Sequence, residues 1–461
     1  MVAEQLRLVA LEAPADFVFA RSQMALSLGW HIVVACFGVA FPAMVLFAEW
    51  QGYRNFDADM ARLARTWARA IGVLFAVGAV SGTILSFEMG MLWPGLMSRF
   101  GEIYGYPFTL EGFAFFLEAI FVGIYLFAWD RLSPRVHMLC AVPILLSGIA
   151  GAFFVVAANA WMNTPTGFRL VNGQVVGAQP VAAMFNPSTG AEVVHMLIGA
   201  VMVVGFSVAS VYAVGMLRGR RDRYHRLGLL LPLTAAVIAA PVQIVVGDWI
   251  ANVVAEHQPV KLAAMEGHFD TSRGVALSIG GIYIDNDLRY EIAVPYGLSL
   301  LVDHDPNGEV IGLDSVPPQL RPPINITHLS YNAMVGIGFG LAALAAWTGF
   351  VWWRRRDIPR TRWYLRAVAV SGIAAVAALE AGWVATEVGR QPWIVYRIQL
   401  TSEAVSTAPG LRYGFYAVLL VYTVLTGMTV YVLRRIAGRQ PARAPQEAEP
   451  SVPPQTESAP R

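Results

Sequence analysis

Long apolar runs separated by short polar connections dominate this chain, with stretches near 23–49, 67–92, 108–129, 136–158, 192–217, 227–250, 327–353, 364–386 and 412–434. A helix of about 20 mostly apolar residues spans the hydrocarbon core of a bilayer. The pattern therefore predicts an all-α polytopic bundle of about nine transmembrane helices. The connections alternate in charge. One set carries Arg54, Arg62 and Arg65, then Arg131 and Arg135, Arg218 to Arg226, Arg354 to Arg362, and Arg434 to Arg443. The other set, at 93–107, 159–190 and 251–326, is arginine-poor. The positive-inside rule puts the first set in the cytoplasm, the N-terminus outside and the C-terminus inside. The segment near 251–326 becomes the one sizeable external loop, and no repeat period is visible. From Pro441 onward the chain is rich in Pro, Glu, Ser and Gln, too polar to offset its ordering entropy. The expected organisation is a membrane domain over 1–440 and a disordered cytoplasmic tail over 441–461.

Composition agrees: 56% of residues are hydrophobic and 14% charged, with mean hydropathy +0.53, far from a soluble globular chain near 25% charged. A net charge of +2, with the arginines sorted by membrane side, argues against nucleic-acid binding. Cys36 and Cys140 lie in apolar segments and form neither a CxxC pair nor a CxxCH haem-attachment motif, so both read as inert thiols. Glu4, Arg7, Glu12 and Asp16 near the start do not resemble a cleavable leader, so the first apolar stretch is expected to stay in the membrane.

An ionisable group in the bilayer core costs roughly 2.5–3.5 kcal/mol on insertion scales, so each one needs a partner or a purpose. His31 and His195 fall well inside predicted spans; His137, His225 and His328 lie near span ends; His257, His268 and His304 are in the external loop. Opposite a histidine, methionine makes a six-coordinate haem iron of raised potential. Met334 is the candidate, with Gly336, Gly338 and Gly340 leaving room for something flat beside it. Glu111 and Glu118 are seven residues apart, on one face of the third helix and about 10 Å apart along its axis, which suggests a proton relay or haem contacts. Glu380 and Glu387 repeat the spacing on the eighth helix, with Glu387 near enough to the outer surface to be solvated. Glu88 reads as a structural hydrogen-bonder.

Ligand arithmetic separates the membrane redox classes. A bis-histidine cytochrome b bundle needs histidine pairs 13–14 apart and a haem-copper oxidase about six intramembrane histidines; two buried histidines satisfy neither. A transporter would explain the acids through half-helix ion sites, but not the coincidence of His31, His195 and Met334. The ordered motifs resemble subunit I of the cytochrome bd quinol oxidases along nearly the whole chain before the tail. They are LGWH around His31, FEMGMLWP at 87–94, EGFAFFLEA from Glu111 to Ala119 followed by FAWDRL, and VAANAWMNTP at 156–165. They continue with Asn186-Pro nine residues before His195, Gly-Asp at 247–248, KLAAME from Lys261 to Glu266, Met334, EAGW from Glu380 and GRQPW at 389–393.

That resemblance implies the haem-bearing catalytic subunit of a terminal quinol:dioxygen oxidoreductase in a bacterial plasma membrane, oxidising quinol outside and reducing dioxygen to water with transmembrane charge separation. It implies His195 and Met334 as axial ligands of a low-spin haem b. His31 and Glu380 would each supply the single protein ligand of one of two high-spin haems, one haem b and one haem d. Glu111 and Glu118 would feed protons to that site or contact its haems, Arg390 and Trp393 would contact cofactor, and Lys261 and Glu266 would serve the quinol, with Asp248 nearby. A second polytopic subunit and a small single-span one are the implied partners. Asn332 stands where many relatives carry arginine, and the external loop is short, as in the short-loop, cyanide-insensitive-type branch. The competing class is a non-catalytic membrane partner or transporter.

Overall fold

The computed structural model describes residues 16–359 and 361–438, so the tail predicted at 441–461 lies outside the described residues. Among these residues nine helices are long and apolar enough to cross a membrane. They are α1 (Phe17–Arg54), α2 (Ala58–Leu92), α3 (Pro94–Phe127), α4 (Pro134–Asn163), α6 (Thr189–Leu217), α7 (Arg223–His257), α10 (Ile324–Arg355), α11 (Arg362–Gly389) and α13 (Leu411–Gly438). Short helices α5 (Pro180–Met184), α8 (Pro259–Glu266), α9 (Gly297–Asp303) and α12 (Thr401–Ala404) lie in the connections.

One predicted loop is helical. Residues 94–107, expected outside the bundle, form the first half of α3. Pro94 sits at the helix start, where its missing N–H would be unpaired in any residue. Pro107 removes only one interior hydrogen bond, and the helix continues through it. The other spans match the apolar runs but extend beyond them, because charged residues at helix ends lie past the apolar core.

The segment after α7 is built, not loose. Strand β3 (Ser272–Arg273) pairs with β8 (Glu309–Val310), enclosing β4 (Leu277–Ile279) paired with β7 (Ile292–Val294), which encloses the hairpin β5 (Ile282–Ile284) and β6 (Asp287–Arg289). Asp285 and Asn286 turn that hairpin with φ of 53° and 64°, the left-handed pair a tight two-residue turn requires. Side chains of α10 hold it down. Asn325 accepts from the Tyr283 backbone N–H at 2.8 Å and donates to its carbonyl at 2.9 Å. The buried His328 ring faces the carbonyls of Met265 at 2.8 Å and Gly280 at 2.9 Å.

Helices α6 and α10 each pack on α7 and α11, and so stand diagonally across a four-helix group. Small residues set the close approaches. A Cβ on Gly205 of α6 would meet the Pro232 carbonyl oxygen of α7 at 2.7 Å, and one on Gly372 of α11 would meet Ser210 Oγ of α6 at 2.7 Å. Such contacts replace hydrophobic driving force inside lipid. Gly205→Val should overpack the α6–α7 seam at a cost of about 1–3 kcal/mol, lowering the thermal midpoint of the purified protein. An unchanged midpoint would mean the seam tolerates the added bulk. The arginine-rich ends are tied by ion pairs: Arg223 to Asp57 at 2.5 Å, Arg62 to Asp59 at 2.6 Å, and Arg226 to Asp357 at 2.6 Å.

Candidate functional site

His31 sits mid-way along α1 with its Nδ1 2.7 Å from Ser81 Oγ of α2. Ser81 donates its own proton to the Gly78 carbonyl at 3.0 Å, so toward His31 it can only accept. The hydrogen-bond pattern therefore assigns the proton to Nδ1 and leaves the lone pair on Nε2. A hydrogen bond to the ring nitrogen away from the metal is how proteins prepare an imidazole for ligation. Gly82 gives the ring room, since a Cβ there would lie 3.2 Å from His31 Cε1.

His195 lies near the start of α6, and its Nδ1 is buried without a hydrogen-bond partner. Met334 of α10 points at α11, where a Cβ on Gly382 would meet its sulfur at 2.6 Å. Gly336, Gly338 and Gly340 have nothing within 4 Å of the position a Cβ would take. Thus the two residues occupy diagonal helices with α7 and α11 beside them.

Glu380 of α11 faces α1, its Oε2 3.0 Å from the position of a Cβ on Gly29, and its Oε1 is buried and unpartnered. Glu387 departs from the solvated position expected of it. It accepts from Asn159 of α4 at 2.5 Å and from Arg390 at 2.5 Å. Arg390 is 3% exposed, yet its Nε and Nη1 have no partner. An arginine buried with donors to spare is costly unless an anion completes it, and a haem propionate is of that chemistry. Trp393 follows on β9 (Trp393–Val395), its N–H bonded to the Arg390 carbonyl at 3.1 Å. Glu88 accepts on Oε1 from Gln23 and Ser27, each at 2.9 Å, while its Oε2 is buried without a partner. Glu111 and Glu118 lie half-buried on α3, with Glu118 Oε1 3.5 Å from the position of a Cβ on Gly38 of α1.

Lys261 and Glu266, both in α8, are fully buried, not solvated. Lys261 donates to Gln258 at 3.2 Å, Gln258 to Asn163 at 3.3 Å, and Asn163 to Glu192 at 2.9 Å. This relay joins α8 to α4 and to the first turn of α6, three residues before His195. Burial pulls the Lys261 ammonium down to about 8, against the pull of Glu192. Burial likewise pushes the Glu266 carboxyl up to about 7, with Tyr331 and the Ser278 backbone opposing. Neither Glu266 oxygen reaches full hydrogen-bond geometry, so Tyr331, three residues before Met334, is a neighbour and not a firm partner. Asp248 is exposed on α7 and stands apart from the relay. Asn332 accepts from the Gly280 N–H at 2.8 Å, anchoring the hairpins that follow α8. Sequence reasoning missed Ser81, Asn159, Asn163, Glu192, Gln258 and Tyr331. The local signals were Asn159 and Asn163 inside VAANAWMNTP and Glu192 one turn before His195.

Among the described residues no cluster of three or more His, Cys, Asp or Glu forms a bare metal site. His31, His195, Met334 and Glu380 sit singly on four separate helices, α1, α6, α10 and α11.

The model of the cytochrome bd terminal oxidase subunit I family matches residues 19–441. A protein of Bacillus subtilis (strain 168) named as a cytochrome bd menaquinol oxidase subunit I is 36% identical over 91% of this chain and 96% of its own length. Subunit 1 of the cytochrome bd ubiquinol oxidase of the same organism is 30% identical over 91% and 93%. The structure of bd oxidase from Geobacillus thermodenitrificans superposes with a TM-score of 0.87 at 37% identity, covering 93% of this chain and 100% of that one. With nine helices among the described residues long and apolar enough to cross a membrane, this chain belongs to the cytochrome bd terminal oxidase subunit I family.

Proposed function

We propose that the chain is the haem-bearing catalytic subunit of a multi-pass quinol:dioxygen oxidoreductase in a bacterial plasma membrane. The observation that carries this is His31, which Ser81 holds with its Nε2 lone pair free in a helix that otherwise has no need of an imidazole. Haem supplies one-electron chemistry and, where the protein gives iron a single ligand, an open position for dioxygen. His195 and Met334 hold the low-spin haem b. His31 and Glu380 each hold one high-spin haem, one b and one d. A second reading gives the carboxylate role to Glu387, because it shares Arg390 with the site for a propionate. Trp393 would close that site, and Glu111 and Glu118 would carry protons toward the place where dioxygen is reduced or contact the haems there.

Lys261 and Glu266 bind quinol, menaquinol or ubiquinol, at the arginine-poor end, which faces outside; the arginine-rich end faces the cytoplasm, with the N-terminus outside and the C-terminus inside. Residues 1–440 act as one transmembrane unit, followed by a cytoplasmic tail. A second polytopic subunit and a small single-span one complete the enzyme. Helix α13, of whose apolar window only 6% is buried, offers an apolar face to lipid or to one of them. A reduced-minus-oxidised spectrum of membranes containing the protein should show haem bands; a transporter or non-catalytic partner would show none.

Glu266 accepts a quinol proton only when ionised, so the rate should rise with pH through about 7. Lys261 is a cation, and so the stronger, charge-assisted donor, only while protonated, so the rate should fall above about 8. The two limbs give a narrow bell. Glu266→Gln should cut quinol turnover on the order of 10²-fold and erase the acid limb, while dithionite still reduces every haem. Wild-type quinol kinetics in this variant would remove Glu266 from the site.

A further inference from the structure

At the arginine-rich end, away from the haem donors, three polar groups from three helices are buried against one another. His137 of α4 places Nδ1 2.6 Å from Glu49 Oε1 of α1 and Nε2 2.8 Å from the Tyr125 carbonyl oxygen of α3. The Tyr125 hydroxyl donates to Glu49 Oε2 at 2.5 Å. His137 is 2% exposed and Glu49 9%, and the imidazole stacks on Tyr125 with ring centroids 4.3 Å apart.

The proton count follows from the acceptors. A carbonyl oxygen can only accept, so Nε2 carries a proton. The short Nδ1 to Oε1 contact joins two atoms that each have a lone pair when unprotonated, so a second proton lies between them. The pair thus holds two protons where a carboxylate and a neutral imidazole hold one, and is neutral overall. Neutrality is what a buried pair in lipid favours. The charged groups facing it are Arg65 of α2, which pairs with Asp130 and lies 5.3 Å from the Trp129 ring. Trp129 in turn meets the His137 ring edge-on at 4.5 Å. When one proton leaves, the pair becomes an anion close to that guanidinium.

We propose that Glu49, His137 and Tyr125 form a proton-loading site that supplies Glu118. The inference rests on the oxygen-reducing reading above. Glu111, Glu118 and Tyr125 recur every seven residues, so they share one flank of α3 in steps of about 10 Å. In the step, the proton shared by Glu49 and His137 passes by way of the Tyr125 hydroxyl to the Glu118 carboxylate. The anion left behind takes a proton from water at the arginine-rich surface, so nothing is consumed.

The test uses the whole purified complex in vesicles, carrying Glu49→Gln or Tyr125→Phe, reduced and then mixed with dioxygen. Haem oxidation is followed by absorbance and proton uptake by a pH dye on the arginine-rich side. Both variants should keep wild-type haem spectra and the early oxidation phases, while proton uptake slows about tenfold or more with a larger solvent deuterium isotope effect. Wild-type uptake in both variants overturns the proposal. If Glu49→Gln does not assemble, Tyr125→Phe, which keeps the ring on His137, decides alone. Wild-type haem that fails to oxidise with dioxygen would overturn the functional reading itself, a different result from normal uptake in the variants.

Discussion

His195→Ala and Met334→Leu are each expected to abolish the low-spin haem band and to drop quinol oxidation to background. The two side chains stand on diagonal helices of one four-helix group, and a six-coordinate iron that loses either axial ligand loses its low-spin state. Leucine keeps the volume of methionine, so packing against Gly382 survives and the loss reports ligation, not folding. Gln243, which donates to the His195 carbonyl at 3.2 Å, supplies a control: Gln243→Leu leaves the imidazole in place and should leave the band. A low-spin spectrum unchanged in both ligand variants would break the pairing.

His31→Ala should remove oxygen reduction while leaving low-spin haem in place, with the carbon monoxide difference spectrum reduced in step. Ser81→Ala should act through the same iron more weakly, by about 10–100-fold in haem retention, because it frees the ring to rotate without deleting it. Glu380→Ala and Glu387→Ala separate the two carboxylate readings. If Glu380 is the ligand, its loss removes one high-spin haem, and Glu387→Ala only loosens Arg390 and Asn159. The reverse pattern assigns the ligand to Glu387. Wild-type carbon monoxide spectra and turnover in His31→Ala and in both glutamate variants would refute the high-spin assignment altogether.

What the sequence determined alone was the membrane architecture and the inventory of donors. Nine apolar runs can only be helices in lipid, because every backbone group must be paired within its own segment. The cost of ionisable groups there made His31, His195 and Glu380 conspicuous, whereas Met334 stood out only through its glycines and the histidines it could complement. Ordered motifs then pointed to the family before any distance was known. The extent of α3 was not legible, since Arg99 and Glu102 read as a polar loop until the helix was seen to pass through them.

Tertiary structure decided which donors have company. Glu387 looked solvated in one dimension, yet α4 and Arg390 enclose it; Lys261 looked like a loop residue, yet Gln258 and Asn163 lead from it to Glu192 and the foot of the His195 helix. The tautomer of His31 depends on Ser81, fifty positions away. Glu49, Tyr125 and His137 lie up to 88 positions apart, at span ends that periodicity assigns to the interface. Hydrophobic patterning acts along one helix, whereas partner choice, proton count and ligand readiness are set by contacts between helices, whose register the packing of small residues such as Gly205 and Gly372 fixes in three dimensions.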